Sequence, residues 1–149
     1  MKKTLLLILV LFVATSASAQ RDAIFGKWKT IDDNTGKARS VVEIYEKDGE
    51  AYAKIVELFR EEGEEENPIC DECDADDDRY NQPVRGMEIM RGLEYSAKSN
   101  EWDDGKILDP ENGKVYECKI WVDEESGNLR VRGYILFLYR TQTWLPYEG

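Results

Sequence analysis

Apolar and polar residues alternate along most of this chain, and the alternation is cut at short, regular intervals. From Arg39 to Glu46, Ser40, Val42 and Ile44 fall on one face and Val41, Glu43 and Tyr45 on the other, the period-two signature of a half-buried strand. Ala51 to Leu58 follows, with Tyr52, Val56 and Leu58 sharing a face that Lys54 interrupts. The clearest case is Lys114 to Val122, where Tyr116, Cys118, Ile120 and Val122 oppose Val115, Glu117, Lys119 and Trp121. Leu129 to Ile135 sets Leu129, Val131, Gly133 and Ile135 against Arg130, Arg132 and Tyr134, and Leu136 to Leu145 supplies a closing strand. Shorter strands are predicted at Phe25–Thr30, Val84–Met90 and Lys106–Leu108; Arg91–Asn100 fits either a strand end or one helical turn.

Turn chemistry separates these runs. Asp32-Asp33-Asn34-Thr35-Gly36, Asp48-Gly49, Asp109-Pro110-Glu111-Asn112-Gly113 and Ser126-Gly127-Asn128 combine residues that tolerate positive φ with side chains that bond to their own backbone. Beyond the first residues no stretch shows a long helical period. About eight short strands joined by sequential hairpins predict an all-β fold, a single antiparallel up-and-down barrel with a β-sandwich as the alternative, because closure removes exposed sheet edges.

One stretch breaks the pattern. Of the eighteen residues from Glu61 to Asp78, eleven are Asp or Glu and none is basic, so self-repulsion predicts a long solvated acidic loop near residues 60–82. The N-terminal residues break it differently. Lys2-Lys3, the apolar run Thr4–Val13 and the small-residue site Ala17-Ser18-Ala19 have the layout of a signal peptide. Export is expected, with removal of residues 1–19 leaving a single domain over 20–149. The apolar run falls short of the roughly 20 residues a spanning helix needs, so the expected location is the periplasm of a bacterium or beyond.

Charge narrows the partners. The formal charge of −11 becomes −13 without Lys2 and Lys3, and such a surface repels nucleic-acid phosphates and anionic headgroups. The chain has no histidine, which removes the commonest general base and zinc ligand. Asp103, Asp104, Asp109 and Glu111 sit beside Gly or Pro in turns, where carboxylates serve the backbone. The expectation is a protein that is not an enzyme and carries no cofactor.

A longer set of motifs links the two ends. Gly26-x-Trp28 opens the first strand and Arg140-Thr141-Gln142-Thr143-Trp144 closes the last. The expected arrangement has Trp28 filling one end of the barrel and the Arg140 guanidinium on its indole face, a contact worth about 0.5–2 kcal/mol. With Gly105-x-Ile107-Leu108-Asp109-Pro110-x-x-Gly113-x-x-Tyr116 and Leu129-x-Val131-Arg132-Gly133-Tyr134, this pattern resembles the small secreted bacterial proteins catalogued as domain of unknown function 2147. The opening Gly-x-Trp with a late Arg is similar to the calycin superfamily of lipocalins, fatty-acid-binding proteins and avidins. The resemblance covers nearly the whole chain after the leader. It implies a lipocalin-like or streptavidin-like barrel and export, and it implies no reaction. Tyr139 stands where the resemblance implies Gly before the closing Arg, which bears on the shape of the last turn.

The leading function is non-catalytic binding of a small, partly apolar molecule in the barrel, with Trp28, Tyr116, Arg132, Arg140 and Trp144 as candidate ligand-binding residues. Trp28, Arg140 and Trp144 have a bland reading beside it, as a plug for a filled floor. Arg130, Arg132 and Tyr134 are surface groups if the apolar face of their strand points inward; in the reverse register they would hold an acidic amphiphile. The alternative function is an envelope interaction module with a solidly packed barrel, its acidic loop meeting a basic protein surface or a divalent cation. Asp74, Asp76 and Asp78 have the spacing of the first calcium-loop ligands, but Arg79 and Arg85 stand where the loop needs Gly and Glu. Cys70-x-x-Cys73 reads as a disulfide in an exported chain, with a redox pair or a metal site as other readings, and Cys118 as a buried small hydrophobe.

Overall fold

The computed structural model describes residues 18–149; the expected leader, residues 1–19, lies outside the described residues except for its last two. Eight strands follow one another: β1 (Gly26–Ile31), β2 (Ala38–Lys47), β3 (Glu50–Leu58), β4 (Glu88–Ser96), β5 (Glu101–Asp109), β6 (Lys114–Val122), β7 (Leu129–Ile135) and β8 (Leu138–Pro146). Each pairs antiparallel with its neighbour in sequence, and β8 returns to β1 to close a barrel. Closure is narrow: Trp28 opposes Pro146 and Lys29 opposes Leu145, with the Tyr147 N–H adding a bond to the Lys27 carbonyl at 3.0 Å.

Alternation determines which way the side chains face. Val42 and Ile44 of β2, Ala51, Ala53 and Ile55 of β3, Cys118 and Ile120 of β6, and Leu129 and Val131 of β7 are all buried in one apolar cluster. Tyr52 lies on the outer face of β3, opposite in sense to the buried Ala51 and Ala53, and stacks on Tyr45. The core is dense at the end where β1 begins. There Trp28 and Trp102 are buried in one cluster with Ile24, Leu93, Leu129 and Trp144, next to the short helical segment 18–22. Both indoles are satisfied: Trp28 Nε1 donates to the Ile24 carbonyl at 2.7 Å and Trp102 Nε1 to the Arg21 carbonyl at 3.0 Å. Phe25 and Tyr95 set their rings against Trp102 at 5.4 Å.

Two expected strand bounds are corrected. The run from Trp102 to Gly105 is not a turn before a short strand; β5 starts at Glu101 and carries a register shift between Trp102 and Gly105, where Asp104 adopts φ 60° and buried Trp102 anchors the strand. Leu136 and Phe137 do not belong to the closing strand, since Ile135 pairs with Leu138 and leaves them as a two-residue turn.

The acidic segment is a loop with most of its carboxylates exposed, and a few buried residues pin it to the barrel. Ile69 bridges Pro83, Cys70 and Cys73 form a disulfide and are buried, and Arg79 is buried with them. The Arg79 guanidinium is held by both Asp77 carboxylate oxygens and by the Glu88 carbonyl. The charges point outward while Cys70, Cys73, Val84 and Met87 join the core. Gly113, in the β5–β6 turn, lies against this segment so closely that a Cβ there would stand 1.8 Å from the Glu72 carbonyl oxygen.

Candidate functional site: an open barrel mouth

The end opposite the tryptophan floor is open. A cavity of about 800 Å³ runs from the mouth to Trp144, with Ile55, Ile89, Leu108 and Val131 in its deeper wall. Gly133 enlarges it. It faces inward between Cys118 and Arg140, and a Cβ there would meet only Tyr116, at 3.5 Å.

The rim is built by turn chemistry. Asp32 Oδ1 accepts the Asn34 and Thr35 N–H groups at 2.8 Å each, bonds that lower its pKa. Asp109 does the same work for the β5–β6 turn, accepting the Glu111 N–H at 3.0 Å and the Asn112 side-chain amide at 3.1 Å. Here burial outweighs those bonds and raises the carboxyl's pKa. Asn112 also donates to the Tyr116 hydroxyl at 3.2 Å, which fixes that ring at the rim. Thr30 and Ser40 satisfy each other through a 2.7 Å hydroxyl contact.

Ion pairs tie the rim loops together. Arg39 reaches Glu64 at 3.1 Å and also Glu111, joining β2, the acidic segment and the β5–β6 turn. Arg140 pairs with Asp33, which also accepts a 3.4 Å bond from the Gln142 amide. The lining holds six carboxylates, of Asp32, Asp33, Glu65, Asp71, Asp109 and Glu111, against the guanidiniums of Arg39, Arg60 and Arg140. That balance disfavours an anionic guest.

The five residues read from sequence separate. Tyr116, Arg140 and Trp144 line the cavity. Trp28 does not; it is 6% exposed within the floor. Arg140 is not on its indole: Pro146, which opposes Trp28, lies six residues along β8, a separation of about 20 Å at strand rise. The guanidinium at the floor belongs to Arg21, 4.9 Å from the Trp102 ring. Arg132 faces outward, 4.4 Å from the Tyr139 ring and 5.2 Å from that of Trp121, because the apolar face of β7 takes the interior. The acidic amphiphile that an inward Arg132 would select loses its basis.

Sequence reasoning missed Asp33, Arg39, Gln142 and Gly133. Gln142 and Arg140 share the period-two face of Trp144, and that signal was available; the Arg39 pairs span loops that no local pattern relates.

Asp74, Asp76 and Asp78 do not converge. Asp74 Oδ1 accepts the Asp76 N–H at 3.0 Å, while Asp78 takes a two-pronged bond from Arg91 at 2.8 and 2.9 Å that lowers its pKa. Among the described residues no three His, Cys, Asp or Glu side chains are grouped to hold a metal ion. Cys118 is the free cysteine; burial pushes its thiol up to about 12, which leaves it a protonated hydrophobe at neutral pH.

Residues 26–145 match the family described as "Uncharacterized protein conserved in bacteria (DUF2147)". The structure is similar to that of protein HP1028 from Helicobacter pylori, whose description places it in the lipocalin family. The TM-score is 0.69 at 20% identity, over 84% of this chain and 83% of that one. That likeness supports the lipocalin-like barrel. No curated protein matches the chain.

Proposed function

The chain belongs to the bacterial family DUF2147, and we propose that it is a non-catalytic carrier that holds a small, partly apolar, uncharged or cationic molecule in its barrel mouth. The observation that carries this reading is the cavity of about 800 Å³, inside the roughly 300–1,000 Å³ range of small-molecule sites. Its apolar depth ends on Trp144 and its polar rim offers Asn112, Tyr116, Gln142 and Asp109. The rim cations are paired with carboxylates, so an acidic head would have to compete with groups already in place.

Work outside the cytoplasm belongs to the same reading, supported by the Cys70–Cys73 disulfide, since disulfides persist in oxidising compartments. The packed-barrel alternative has less behind it: its solid interior would leave no room of this size.

The test is titration with the neutral fluorophore N-phenylnaphthylamine and its anionic relative anilinonaphthalenesulfonate, on the parent and on Gly133→Phe. The phenyl ring is directed into the cavity from a strand position with ordinary contacts around its Cβ. The parent should bind the neutral probe more tightly, and Gly133→Phe should weaken it by about ten-fold or more, the loss of roughly one buried ring's worth of contact. Equal binding by a folded Gly133→Phe variant would contradict the proposal.

A further inference from the structure

The β7–β8 hairpin ends in an exposed apolar tip. Its two-residue turn is Leu136-Phe137, with no Gly, Asn or Asp, and Leu136 sits at φ 54°, a conformation that bulky residues rarely adopt. Leu136 is 90% and Phe137 87% exposed, with Leu138 at 65% beside them. Strain and exposure together cost stability, and neither Leu136 nor Phe137 belongs to the core.

The residues behind the tip are graded. The next outward-facing pair is Tyr134 and Tyr139, ring centroids 6.0 Å apart. Behind them Arg132 lies between Tyr139 and Trp121, bonded to the Thr141 hydroxyl at 2.7 Å. Among the described residues Arg132, like Arg85 and Arg130, is in no ion pair with a carboxylate. Arg132 stands three positions before Ile135, about 10 Å along the strand. An apolar tip, then an aromatic pair, then a cation about 10 Å back matches the depth profile of a lipid interface: acyl boundary, headgroup belt, phosphate.

Net charge selects among surfaces. At −11 overall, with Asp33 and Glu111 on the neighbouring rim, the chain is repelled by an anionic bilayer. A second copy docking tip to tip would bring two such rims together. A zwitterionic phospholipid offers the phosphate without the net charge. We propose that the β7–β8 hairpin docks this protein onto zwitterionic phospholipid surfaces, with Leu136 and Phe137 inserted, Tyr134 and Tyr139 at headgroup level and Arg132 on lipid phosphate. This stands on the exposed tip and outer face of the hairpin, whose Ile135, Leu138 and Tyr139 also border the cavity mouth.

The test is flotation with phosphatidylcholine vesicles, using processed protein shown by mass to lack the apolar run of residues 4–13. The variant is Leu136→Gly with Phe137→Ser, which supplies a favoured hairpin turn and so should melt at or above the parent temperature. The parent should float, and less so when phosphatidylglycerol is added to the vesicles. The double variant should float at least about ten-fold less, and Arg132→Gln should fall between them. Three results would overturn the proposal: a parent that stays in the dense fraction, a double variant that floats equally, or a parent that forms a dimer which the double variant dissolves.

Discussion

Trp28 and Arg140 show how far a residue pair can be read before its geometry is known. Trp28 is buried with its indole N–H bonded to the Ile24 carbonyl, so Trp28→Ala should cost about 3–5 kcal/mol, as for other core aromatics. Arg140 has a side chain 65% exposed and paired with Asp33, so Arg140→Ala should cost under about 1 kcal/mol. Urea melts of both variants check the placement. Similar large losses would return Arg140 to the floor, and a Trp28→Ala melt close to the parent would remove the indole from the core. The Gly-x-Trp spacing identified the residue that fills the floor. It could not identify its cationic neighbour, because Arg21 reaches Trp102 from the segment before β1, where no strand periodicity operates.

At the scale of elements, strands were legible and the anchoring of the acidic segment was not. Period-two alternation in β2, β6 and β7 reports which face is buried, and those faces are the ones in the core. Composition read residues 61–78 as an exposed acidic loop, which they are, but eleven carboxylates hide the few residues that anchor it. Cys70, Cys73 and Arg79 are buried there, and the Asp77–Arg79 pair lies between the segment and β4. Arg79 holds the Asp77 carboxyl well below the usual carboxylate range. A lowered native pKa stabilises above the unfolded value of about 3.9 and loses that contribution as pH falls below it. Amide exchange in residues 69–84, corrected for intrinsic rate, should therefore quicken below about pH 4. In Asp77→Asn it should already be faster at pH 7, by about 1–3 kcal/mol of local protection. Unchanged protection in Asp77→Asn would show that the disulfide alone holds the segment.

The whole molecule is a barrel with one end filled and the other open. Sequential hairpins made closure legible, because they leave β1 and β8 as the free edges and pairing them removes both. Whether the interior is filled was not legible, for it depends on volumes that meet across the barrel. Trp28, Trp102 and Trp144 fill the floor, while Gly133 and the short hydroxyl pair of Thr30 and Ser40 leave room at the mouth. The same limit applied to the tip: Leu136 and Phe137 read as strand because apolar residues rarely make a two-residue turn.

The central claim, that the mouth holds a small molecule, is tested most directly by native mass spectrometry of the protein taken from its own host, against the same sample denatured. A reproducible mass excess that denaturation removes, absent from Gly133→Phe made in the same host, is the predicted result. A bare parent that takes up neither the neutral probe nor any molecule from host extract would contradict it.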